Sequence, residues 1–173
     1  MENSIEHLKY PIGRFKLPEQ VSKDDLLQAK AIIEQFPKQL EEAYKGLTPE
    51  KMERPYRPEG WTRRQVIHHV ADSHMNALIR FKLALTEDKP QIKPYAQAAW
   101  AGLADNKLDP AVSINLVKGV HQRWVAVMEG MTDADWKRSF VHPEYQQEQR
   151  LEQAAMLYAW HGEHHLGHVR SDF

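Results

Sequence analysis

Four of the chain's ten histidines fall close together in the stretch "YAWHGEHHLGHV", as His161, His164, His165 and His168. Neutral imidazole is both a metal ligand and a proton carrier near neutral pH, so such a cluster can hold a transition metal or pass protons. The chain has no cysteine. Disulfides and thiolate ligands are excluded, which leaves imidazole and carboxylate to hold such an ion. Residues four apart stack one turn apart on one face of a helix, so His161 with His165, and His164 with His168, are the candidate pairs.

Ala154, Tyr158, Leu151 and Val169 project on the same side as His161 and His165, whereas Glu152, Glu163 and Arg170 project opposite. His165 is central to that apolar stripe, His168 lies just to its other side, and His164 is the most lateral. Two uncharged imidazoles among Ala, Leu and Tyr each need a hydrogen-bond partner or an ion, and the spacing favours an ion.

A third ligand is expected from a facing helix, and "RRQVIHHVADSHMNALIRF" offers candidates. Its apolar stripe is Val66, Val70, Ala77, Phe81 and Ala84. His68 points away from that stripe and is expected in solvent. His69 borders it, in a polar row with Gln65, Asp72, Ser73, Asn76 and Arg80. Burying such a row is costly unless it lines a cavity. His74, His121 and His142 are expected as hydrogen-bonded core residues, and His7 carries no role.

The elements that must position these groups are helices. "KYPIGRFKLPEQ" carries two prolines and a glycine and is expected as an extended arm over residues 1–21. Ser22 and Asp25 make a capping box for a long helix that ends before Gly46 and contains Pro37, where a kink is expected. "LTPEKMERPYRPEG" reads as a loop. Thr62 and Gln65 cap a second helix reaching about Leu85. A long connection follows, with one short helix around Gln97 to Leu103, and Asp109 before Pro110 opens a third helix that ends before Gly130. Thr132 and Asp135 cap a short turn, "RSFVHPEYQQEQRL" alternates as a small hairpin would, and Leu151 to Arg170 form the last helix, without a good N-cap at Arg150. The expected fold is all-α, an antiparallel four-helix bundle in which metal sites commonly lie between facing helices.

The bulk properties bound the function. With 173 residues and 42% hydrophobic content, one domain over 1–173 is expected. A formal net charge of −1 gives no reason to expect nucleic acid or an anionic membrane as partner, so the substrate is expected to be a small molecule. Neither a signal peptide nor a membrane span is visible, and a cytoplasmic location is expected.

The blocks "YPIGRF", "GWTRRQVIHHVADSHMNALIRFKLALTE", "KPYAQAAW" and "LYAWHGEHHLGHV" together resemble the YfiT-like branch of the DinB superfamily over nearly the whole chain. The resemblance implies a four-helix bundle with one divalent ion per subunit, Zn2+ or Ni2+, held by three histidines. By its motifs these are the histidine before "VAD", His69, and the first and last of the H-x-x-H-H block, His161 and His165. It also implies a metal-dependent hydrolase or a thiol S-transferase using bacillithiol or a similar low-molecular-weight thiol, and a homodimer. Many members continue the block with Arg-Gly-Gln where this chain has Leu166, Gly167 and His168. His168 thus takes the glutamine's place, as a ligand, a hydrogen-bond partner or a proton shuttle.

Three histidines leave an ion an open position, where water or a thiol becomes a nucleophile. There is no HExxH, and Glu163 projects away from the His161 face, which disfavours a peptidase. Asp72 and His168 are the candidate catalytic groups, as orienters of an imidazole. Arg80, Asn76 and Trp100 are the candidate substrate contacts; Arg80 reads equally as a surface ion pair, and Tyr95 and Trp100 equally as cavity wall or core. A noncatalytic bundle clamped by the ion is the remaining alternative.

Overall fold

The computed structural model of the protein describes residues 5–144 and 146–173. Residues 1–4 of the expected arm and Tyr145 of the expected hairpin lie outside them. In chain order the elements are α1 (Glu6–Lys9), α2 (Lys23–Lys45), α3 (Pro49–Glu53), α4 (Arg63–Thr86), α5 (Gln97–Trp100), a 3-10 turn (Ala104–Lys107), α6 (Ala111–Glu129), α7 (Asp133–Trp136), β1 (Ser139–His142), β2 (Gln147–Arg150) and α8 (Leu151–Arg170).

Local chemistry sets these boundaries. The Asp25 amide donates to Ser22 Oγ at 3.1 Å while the Ser22 amide donates to Asp25 Oδ2 at 2.8 Å, so two otherwise orphaned amides are satisfied where α2 starts. Thr62 and Gln65 do the same for α4, with the Thr62 amide 3.0 Å from Gln65 Oε1. Asp109 Oδ1 accepts from the Ala111 amide at 2.8 Å at the start of α6. α8 has no Ser, Thr, Asp or Asn cap because β2 feeds directly into it, and Gln153 Oε1 reaches back to the Arg150 amide at 3.0 Å.

Two expectations are corrected. The arm is not extended throughout, since Glu6–Lys9 form one helical turn. The proline-rich loop holds α3, started by Pro49 at N1 and capped by Thr48. Glu152, on the side of α8 opposite His161, is 1% exposed, because α7 and the hairpin cover that flank and Lys137 and Arg150 pair with its carboxylate. The hairpin itself is present, with Ser139 opposite Arg150 and His142 opposite Gln147. α2 continues through Pro37 as one helix.

α2, α4, α6 and α8 form a four-helix bundle in which α2 packs on α6 and α8, and α4 also packs on α6 and α8. The helices consecutive in sequence, α2 and α4, therefore stand diagonally across the bundle. The core falls into two apolar clusters. One gathers Ile33, Phe81, Trp124, Leu151 and Tyr158, the other Leu40, Val66, Val70, Val117 and Leu166. On each helix the switch from one cluster to the other occurs close to a buried histidine or its partner: Ile33 on α2, His74 on α4, His121 on α6, and His161 to His165 on α8. A layer of imidazoles thus crosses the bundle between two hydrocarbon halves.

Phe36 seals that layer from the α2 side, with its ring 5.4 Å from both His74 and His121. α8 can approach it because residue 162 is glycine: a Cβ there would lie 3.0 Å from Phe36 Cδ2. Alanine usually favours a helix over glycine by about 1 kcal/mol, but overpacking a core costs about 1–3 kcal/mol. Phe36 is 1% exposed and packed against both the His74 and His121 rings, so Gly162→Ala is expected to lower the denaturation midpoint. A midpoint that rises would show that Phe36 can yield.

Candidate metal centre

α4 contributes His69 and α8 contributes His161 and His165, and one ring nitrogen of each lies within 4.8 Å of the others. The ring centroids are 4.5 Å apart for His161 and His165, 4.9 Å for His69 and His165, and 5.5 Å for His69 and His161. The adjacency of α4 and α8 and the one-turn spacing on α8 bring the three together. Trp61, delivered just ahead of α4, packs on the His69 ring at 4.8 Å.

Burial favours the uncharged imidazole, and it pushes His69 down to about 4. His161 and His165 are held well below the usual histidine range, by burial first and then by the neighbouring imidazoles. At neutral pH the three are thus lone-pair donors with no proton to displace from the coordinating atom. An all-nitrogen set of this kind fits a divalent ion such as zinc or nickel. No fourth side chain joins the group among the described residues.

The site opens through His161 into a cavity of about 750 Å³ whose wall includes Ser73, Arg80, Tyr95, His142, Tyr158 and His161. Its other wall is the ordered connection between α4 and α6, tied to the hairpin where the Ile92 amide donates to the Val141 carbonyl at 3.0 Å. Arg80 Nη1 donates to Tyr158 Oη at 2.8 Å within this wall, so it is not a surface ion pair. Burial pushes the Tyr95 hydroxyl up to about 12, which keeps it a neutral donor.

The remaining sequence candidates separate. Asn76 and Trp100 do not line the cavity; Asn76 Nδ2 donates back to the Asp72 carbonyl at 2.9 Å, and Trp100 packs on Tyr95 at 4.4 Å. Asp72 is half-buried, and burial together with the charge of Asp105 pushes its carboxyl up to about 6. No hydrogen bond joins its carboxyl to an imidazole among the described residues. His168 does touch one: its Nδ1 is 3.2 Å from His165 Nδ1.

His68, expected in solvent, is 6% exposed, with Nδ1 2.7 Å from Ser113 Oγ and Nε2 3.2 Å from the Leu108 carbonyl. α4 is covered on that flank by α6 and the chain leading into it. His142, expected in the core, is half-buried in the cavity wall. His74 and His121 are core residues as expected, but hydrogen-bonded to each other at 2.7 Å. His164, His165 and His168 form a second group of close nitrogens that shares His165 with the first.

The DinB superfamily profile matches residues 32–169. The protein named "Putative metal-dependent hydrolase YfiT" of Bacillus subtilis is 44% identical over 164 residues, covering 94% of this chain and 92% of that one. A Bacillus licheniformis protein, also named as a "Putative metal-dependent hydrolase", is 42% identical over 168 residues, covering 96% of each. The solved structure of YfiT, described as "a probable metal-dependent hydrolase with an unusual four-helix bundle topology", superimposes with a TM-score of 0.91 over 94% of both chains. A mycothiol-dependent maleylpyruvate isomerase shares the fold at a TM-score of 0.68 and 15% identity, over 85% of this chain and 61% of that one. No helix among the described residues is long and apolar enough to cross a membrane.

Proposed function

The chain belongs to the DinB superfamily, and from that premise we propose that it is a metal-dependent hydrolase in which His69, His161 and His165 hold one divalent ion, zinc or nickel. The observation that supports this most is the meeting of three uncharged imidazoles, from two helices, at the edge of a cavity of about 750 Å³. A divalent ion held there supplies Lewis acidity, which makes water or a thiol nucleophilic at neutral pH.

The chain's own residues do the rest. His161 is the ligand that meets the cavity, so the reacting carbon of a substrate is brought to the His161 side of the triangle. Arg80, steadied by Tyr158 Oη, presents fixed positive charge in the same wall and binds an anionic group of the substrate. The buried hydroxyls of Tyr95 and Tyr158 donate hydrogen bonds without ionising. Phe15 and Leu17 of the arm line one side and give a substrate an apolar surface.

A low-molecular-weight thiol such as bacillithiol is the competing nucleophile, and the cavity's size favours it to the extent that two small reactants fit inside. The two readings separate in one experiment. Zinc- and nickel-loaded protein is assayed against ester and amide panels without thiol, and separately with bacillithiol and an electrophile. Turnover without thiol is the expected result; turnover that requires the thiol would replace water as nucleophile, and none in either arm would favour the noncatalytic clamp.

A further inference from the structure

Two strings of hydrogen bonds run outward from the α8 pair and end on backbone carbonyls. His161 Nδ1 is 3.1 Å from His74 Nε2, His74 Nδ1 is 2.7 Å from His121 Nε2, and His121 Nδ1 is 2.5 Å from the Ile33 carbonyl. On the other side, His165 Nδ1 is 3.2 Å from His168 Nδ1, and His168 Nε2 is 3.2 Å from the Lys9 carbonyl.

A carbonyl oxygen only accepts, and a neutral imidazole has one donor and one acceptor. His121 must therefore carry its proton on Nδ1 to donate to Ile33. Its Nε2 is then a bare acceptor, so His74 donates from Nδ1. That leaves His74 Nε2 bare, and His161 donates to it from Nδ1. Each contact holds a single proton, since two N–H groups, or two lone pairs, facing each other at these distances would repel. From Lys9 the same order follows: His168 donates from Nε2, accepts on Nδ1, and leaves His165 to donate from Nδ1. In both strings the last imidazole is left with Nε2 bare.

We propose that His121 with His74, and His168, are positioning residues that fix the tautomers of His161 and His165, committing Nε2 of each to the metal ion. What Nε2 faces rests on the three-imidazole reading above; the proton order is a property of the chain without metal. Imidazole ligands that donate their second nitrogen to a carbonyl are oriented and made more basic by it. Here the carbonyl acts through one or two intervening rings. The His165 contact also argues against an ion held by His164, His165 and His168, because the nitrogens of His165 and His168 that face each other share a proton.

Long-range proton–nitrogen correlation spectra of 15N-labelled, metal-free protein read the protonated nitrogen of each ring. Nδ1–H is expected for His121, His74, His161 and His165, and Nε2–H for His168. His161 or His165 protonated on Nε2 in the wild type would overturn the proposal. His121→Phe keeps the ring's bulk two imidazoles away from the ion. It is expected to let His74 turn its proton inward, to put His161 partly into the Nε2–H form, and to weaken zinc binding by roughly 10- to 100-fold. Unchanged affinity and an unchanged His161 spectrum in folded variant protein would sink that arm.

Glutamine can accept with its amide oxygen and donate with its amide nitrogen, so His168→Gln is expected to hold zinc to within about threefold while His168→Leu loses roughly 10- to 100-fold. Equal affinities in the two variants would sink the other arm, and the spectrum of the wild type decides the His121 arm should His121→Phe fail to fold. Full metal loading of His69→Ala would refute the three-imidazole site alone, leaving the proton order to be judged from the metal-free spectra.

Discussion

His69→Ala protein is expected to retain less than about a tenth of an ion per chain after dialysis against a weak chelator, where the parent holds about one. Two imidazoles one turn apart on α8 remain, and a two-nitrogen site without a third ligand competes poorly with solvent and chelator. The choice of His69 matters because His165 belongs to both groups of close nitrogens. His165→Ala is expected to empty the protein under either arrangement, whereas His69→Ala empties it only if the ion bridges α4 and α8. Elemental analysis of protein made without an affinity tag measures the content. Full loading of His69→Ala would place the ion among His164, His165 and His168.

Metal-free protein is expected to unfold steeply as the pH falls below about 6.5. Burial holds His69, His121, His164 and His168 down to about 4, and His74, His161 and His165 well below their usual range. Between those values and 6.5 the unfolded chain binds more protons than the folded one. The stability from keeping these rings uncharged is therefore complete above 6.5 and drains away as the pH drops towards 4. Each ring contributes at most about 1.4 kcal/mol per pH unit, so the coupled group together drains on the order of several kcal/mol per unit. That is comparable to the whole stability of a typical domain, about 5–15 kcal/mol. Circular dichroism and tryptophan fluorescence against pH are expected to show a cooperative loss within one to two units below 6.5, roughly, and zinc-loaded protein to hold to lower pH. A flat curve from pH 7 to 5 would mean that the folded protein already accepts those protons.

The bundle helices were legible because their ends are written in local chemistry: Ser22 with Asp25 and Thr62 with Gln65 satisfy amides that lie next to them in the chain. The one-turn spacing of His161 and His165 was legible for the same reason. Which helices touch was not, since the apolar face of α4 does not say whether it meets α2 or α6. His68 shows the consequence, because a wheel gives a helix one inside, while α4 is covered by α6 on a second flank. Nor did periodicity reveal the strings of imidazoles. They draw on α2, α4, α6 and α8, and they end on the carbonyls of Ile33 and Lys9, groups that any residue at those positions supplies. A buried histidine on each of two bundle helices was the available signal, and alone it reads as core.

The arm lies against α8 where the helix has no side chain to hold it off: a Cβ on Gly167 would come within 2.7 Å of Pro11 Cγ. Seating of this segment carries the Lys9 carbonyl to His168. The arm's docking equilibrium and the centre's affinity then form a closed thermodynamic cycle, and reciprocity follows: whatever lifts the arm loosens the ion by the same factor by which the ion clasps the arm. A peripheral strap of a few residues would in this way act as an allosteric element, felt at the centre through protons rather than through contact.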